Sequence, residues 1–158
     1  MSETPVVSAN NWQRQAAIDA FNLTRHLLDK NDRTPAETDH MIHAAHTSRF
    51  HWQTAGDVVN WLRGDWLLAH VYTLLDQPQV ALRFARPCLE QCETNHISDF
   101  DLAYAYEGVA RALAANGDHV EAEKYYRLAE AAGNVIAEDE DREWFNKDLP
   151  APPWFGLK

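Results

Sequence analysis

Closely spaced histidines and carboxylates offer the most recognisable chemistry in this 158-residue chain. Asp39, His43 and His46 fall at i, i+4 and i+7, so on a helix they share one face. Two imidazoles and a carboxylate suit a non-haem iron or a similar metal. The same segment carries Met41, Ala45 and Trp52 as an apolar stripe, and the three polar residues point about opposite to it. A face opposite the core is usually solvated, and a catalytic metal needs supporting partners as well. The reading is therefore no metal and no cofactor, with Asp39, His43 and His46 as the alternative metal set. Glu-x-x-His occurs twice, at Glu37/His40 and Glu93/His96, the spacing used by di-iron bundles. The second copy straddles an expected helix end, where its geometry would not be held. Chance explains the pair better.

No nucleophile constellation stands out. Gly-x-Ser-x-Gly and phosphate-cradling glycine loops are absent, and there are only six glycines. Cys88 and Cys92 lie four apart within one expected helix. A disulfide at that spacing would strain the helix, so both are expected as reduced thiols on its buried face. These residues point away from an enzyme.

The elements that must position any site are helical throughout. Apolar residues recur at helical spacing over residues 10–30, with Trp12, Ala16, Ala20, Leu23 and Leu27 as the stripe. Thr34-Pro35-Ala36-Glu37 starts a second helix with a capping box and a proline at the first helical position. Met41, Ala45, Ser48 and Trp52 form its stripe. Gly56 is expected to end it in the left-handed conformation. Asp57 caps a third helix, and Asp76-Gln77-Pro78 separates it from a fourth, which Pro87 should kink. Ser98 caps a fifth. Asn116-Gly117 stops it, Asp118 caps a sixth, and Gly133 ends that one. A short acidic helix follows at 138–148. The tail, 150–158, is extended because Pro150, Pro152 and Pro153 exclude helix. No strand is expected. Short connections make successive helices antiparallel. The fold class is all-α: residues 1–149 form one domain of helix pairs at about 10–56, 57–94 and 98–133, plus the short helix.

Hydrophobic residues are 46% of the chain and charged residues 24%, the globular range, with a formal net charge of −10. That field disfavours nucleic acid and anionic lipid as partners. No stretch approaches the ~18 apolar residues of a membrane span. The opening, residues 1–5, is polar without a leader pattern, so the cytoplasm is the expected compartment.

Shifting the third and fourth helices by 41 residues brings Ala69 onto Ala110, Tyr72 onto Leu113, Asp76 onto Gly117, Ala81 onto Ala122 and Cys88 onto Ala129. Such self-similarity marks an array of helical hairpins. On these residues the chain resembles tetratricopeptide repeats, over about 58–132 and in a longer-helix variant. It departs from the usual pattern at Asp76 and Pro87. The resemblance implies a short right-handed array with a concave surface lined by the first helix of each pair. Carried over, the exposed inner positions are Arg63, Trp66, His70 and Thr73, then Tyr104, Glu107, Arg111 and Ala114. An arginine can grip a carboxylate in bidentate fashion, and Trp and Tyr supply rigid contact area. The expectation is a protein- or peptide-interaction module that binds through Arg63, Trp66, His70, Tyr104, Glu107 and Arg111. A structural homodimer formed through Trp61, Trp66 or the tail is the alternative. Pro152-Pro153-Trp154-Phe155 exposes two aromatics unless it folds back on its own groove.

Overall fold

The computed structural model describes residues 9–158, so residues 1–5 lie outside the described residues. The described residues hold seven helices: α1 (Ala9–Asp29), α2 (Pro35–Ala55), α3 (Val58–Leu74), α4 (Pro78–Thr94), α5 (Asp99–Ala115), α6 (His119–Asn134) and α7 (Asp139–Asp148). Among the described residues there is no strand. Among them no helix is long and apolar enough to cross a membrane. Contacts divide the chain into two compact units, residues 1–64 and residues 65–158.

In the first unit α1 packs on α2 through small residues. Ala17, Ala20 and Leu27 face Met41, Ala44, Ala45 and Trp52 in the core. Ser48 Oγ donates to the Ala17 carbonyl at 2.8 Å, which needs close approach of the two backbones. Ala20 and Leu27 of the expected stripe are buried, but Ala17 and Thr24 are buried where Ala16 and Leu23 were expected, and Trp12 is 51% exposed. The capping box of α2 is present: Glu37 N–H donates to Thr34 Oγ1 and Thr34 N–H donates to Glu37 Oε2. The end of α1 lacks glycine. Arg33 closes it instead, donating to the carbonyls of Leu27, Leu28 and Lys30. Gly56 is extended rather than left-handed, with φ −117°. It is glycine because a Cβ would collide with Asn60 and the Trp52 ring. Asp57 Oδ1 accepts the Val59 N–H, as a cap of α3 should.

In the second unit three helix ends share one closure. Asp76, His96 and Gly117 have φ of 56°, 54° and 84°. Gln77, Ile97 and Asp118 each donate an N–H five residues back, to Tyr72, Cys92 and Leu113. This is the left-handed helix stop with its paired long hydrogen bond. The first and third instances sit 41 residues apart, so the repeat seen in the sequence recurs in the backbone. Neither Ser98 nor Asp118 makes a side-chain cap bond. Asp99 turns its carboxylate to the Ala137 N–H instead. Helix α4 continues through Pro87 to Thr94, and Cys88 and Cys92 are buried free thiols. Burial pushes the Cys88 thiol well up and the Cys92 thiol to about 12, so both stay protonated at neutral pH.

Helix α7 packs on α5 and α6. Phe145 is fully buried and meets Tyr104 edge-on at 4.9 Å. Gly133 does not end α6. It lies within the helix, where a Cβ would run into the Phe145 ring. Gly133→Ala should therefore lower stability by about 1–3 kcal/mol, the range for overpacking. By contrast, Asp76→Gly should raise it by about 1 kcal/mol, by relieving a left-handed non-glycine residue. Thermal melts of the two variants check both signs.

Candidate functional site

Position 107 lies on the packed side of α5, surrounded by Ala103, Ala110 and Ala114. Alanines thin the helix there and let large neighbours close over it. Glu107 is 2% exposed. A buried carboxylate is costly unless paired and hydrogen-bonded, and this one is saturated. Its Oε2 accepts the Trp66 indole N–H at 3.1 Å and lies 2.9 Å from His70 Nε2. An ionised carboxylate only accepts, so His70 Nε2 carries the proton. Its Oε1 accepts Arg111 Nε at 2.5 Å. Burial pushes the carboxyl up, but the charges of His70 and Arg111 and their hydrogen bonds outweigh it. The group is held well below the ordinary carboxylate range.

Arg111, 6% exposed, is spent inside the protein. Beyond Glu107, its NH1 donates to the carbonyls of Ala151 and Pro153 at 2.8 and 2.9 Å, and its NH2 to that of Asp148 at 3.4 Å. The Trp154 ring lies over the guanidinium at 4.2 Å and meets Tyr126 edge-on. Trp154 is buried, with its indole N–H donating to the Leu149 carbonyl. Lys158 Nζ lies over the Tyr126 ring at 4.2 Å and 3.7 Å from Glu123. Tyr104 donates its hydroxyl to Asp148 at 2.7 Å and meets the edge of Trp66. The tail thus folds back onto α5 and α6, and Phe155 stays partly exposed.

Trp66, His70, Tyr104, Glu107 and Arg111 come together in this one cluster. The expectation that they line an open groove is corrected: Thr73, Glu107, Arg111 and Ala114 are buried. The chain's own tail and the Glu107 carboxylate take up Arg111. Arg63 belongs to the first unit and is exposed. Trp61 donates its indole N–H to the Trp52 carbonyl. Asp39, His43 and His46 are exposed. Among the described residues no group of three or more His, Cys, Asp or Glu side chains is placed to hold a metal ion. Glu37 is engaged with Thr34 and Lys30.

The sequence favoured a tail docked on its own chain, and Trp154 is docked; it missed Asp148 and the carbonyls of Ala151 and Pro153 as the acceptors of Arg111. One signal was available. Glu107 and Arg111 stand at i, i+4, the spacing of a helical ion pair. Charge is also divided unevenly: residues 65–158 carry 17 acidic against 8 Lys and Arg, a net −9 of the chain's −10. No family model matches the chain, and neither a curated protein nor a solved structure is significantly similar to it.

Glu107→Gln leaves Arg111 buried without its counter-ion and should cost about 3–5 kcal/mol at neutral pH. The pH dependence has a definite sign. The folded carboxyl lies below its ordinary 4.5, so its contribution is complete above about 4.5 and fades as pH falls below it. Melts between pH 7 and pH 3 should show the wild type losing stability below that point and the variant losing less.

Proposed function

We propose that the chain is a protein-interaction module, a helical-repeat array of tetratricopeptide type, that holds an extended segment against α5 and α6 of its second unit. The observation that carries this reading is the grip of Arg111 on backbone carbonyls of residues 148–153. Backbone carbonyls are common to every peptide, so the grip selects an extended path. Trp154, over the guanidinium and against Tyr126, supplies selectivity for an aromatic anchor. Lys158 beside Glu123 adds a basic residue to the preference. In a unit of net −9 the fitting partner is a protein segment with proline, a tryptophan and a basic residue, and nucleic acid is disfavoured.

The chain's own tail competes for this face. A synthetic peptide of residues 149–158 should bind the full chain weakly, and a Trp154→Ala variant at least ~10-fold more tightly, since the variant's tail has lost its anchor. Anisotropy of a labelled peptide measures both, with circular dichroism verifying that the variant remains helical. Failure of the peptide to bind either protein saturably would remove the support for an exchangeable segment.

A further inference from the structure

The first unit contains a second feature. Ile18, Phe21 and Asn22 of α1, Trp52 of α2, and Asn60 and Arg63 of α3 enclose a half-open cavity of about 160 Å³. An apolar cavity of ~150 Å³ accommodates a benzene ring, so the space takes one ring. Ile18, Phe21 and Trp52 supply its apolar wall. Trp52 is buried, whereas Asn22 is exposed.

Asn60 is the polar group whose orientation is fixed. It shares a reciprocal cap with Asp57. The Asp57 N–H donates to Asn60 Oδ1 at 3.1 Å, and the Asn60 N–H donates to Asp57 Oδ1 at 3.4 Å. Gly56 makes room for this side chain, since a Cβ there would lie 2.7 Å from Asn60 and from the Trp52 ring. The amide oxygen is committed to the cap, so Nδ2 is the end that Asn60 offers a ligand, and it only donates. Of the six lining residues only Arg63 is charged, and it is already engaged within the protein. An anion seated here would lose water without gaining a counter-ion, which is costly.

We propose that this cavity binds a neutral aromatic compound that carries a hydrogen-bond acceptor. The ring lies against Ile18, Phe21 and Trp52. The acceptor, a carbonyl oxygen, takes an N–H of Asn60 Nδ2. The site is independent of the tail and of the function proposed above.

The test uses acetophenone and benzoate as probes of the full chain, followed in 1H–15N spectra. Acetophenone should give saturable shifts at the Trp52 indole and the Asn60 side-chain amide, at about millimolar concentration as befits so small a ligand. Benzoate, with a similar ring but a charge, should bind at least ~10-fold more weakly. Asn60→Asp keeps an oxygen for the cap of α3 and removes the donor. It should weaken acetophenone about 5-fold at the Trp52 indole, the loss of one neutral hydrogen bond. Ile18→Trp, which fills the cavity, should abolish the shifts, with circular dichroism verifying that both variants remain helical. Benzoate bound as tightly as acetophenone, an unchanged affinity in Asn60→Asp, or binding that survives Ile18→Trp would each overturn the proposal. So would the absence of shifts in the wild type.

Discussion

A carboxylate without water must have its charge answered on every side, and Glu107 imposes that requirement on the second unit. Two of its partners come from α3 and one from its own helix. The partner on its own helix, Arg111, is a buried cation with donors to spare, and those donors need acceptors too. The acceptors are backbone carbonyls from the end of α7 and the tail. One buried charge therefore fixes α3 against α5 and, through Arg111, fixes the path of residues 148–154. Breaking any link leaves a charge or a donor unsatisfied in a dry place, where the penalty is largest.

The repeat makes this arrangement possible. Trp66 and Glu107 are 41 residues apart, as are His70 and Arg111, so the four residues are two repeat-equivalent pairs. Equivalent positions on successive hairpins face one another. In one hairpin they carry an indole and an imidazole, in the other a carboxylate and a guanidinium. Different residues at matched positions make the contact complementary. Arg63 and Tyr104 form a third such pair, yet Arg63 lies at the cavity of the first unit and Tyr104 on the tail-bearing face.

The helices were legible because their signals are local. Thr34 and Glu37 cap α2 through atoms three residues apart, and Gly117 stops α5 through its own dihedral angle. The helix stop at Asp76 was legible from Pro78 two residues on, and its register with Gly117 repeats it. What the sequence withheld was long-range. A helical wheel gives the direction in which Glu107 and Arg111 point but not what covers them, and the cover comes from Trp66 and His70 far earlier in the chain and from residues 148–154 far later. Gly133 looked like a helix stop because glycine has two uses. Its actual use, clearance for Phe145, depends on a residue twelve positions away on another helix. Trp12 looked like core because it falls at helical spacing with Ala16 and Ala20, whereas Ala17 and Ser48 set the packing distance of α1 and α2.

The central claim is that one carboxylate holds both α3 and the tail. The six indoles report on it directly, since Trp66 bonds to Glu107 and Trp154 lies over Arg111. The measurement is the 1H–15N spectrum of the indole N–H groups in a Glu107→Gln variant. If Glu107 is the joint, the Trp66 and Trp154 signals move together while those of the exposed Trp12 and Trp144 stay in place. A shift at Trp66 with Trp154 unmoved would mean that the tail is held without Glu107, and would contradict the claim.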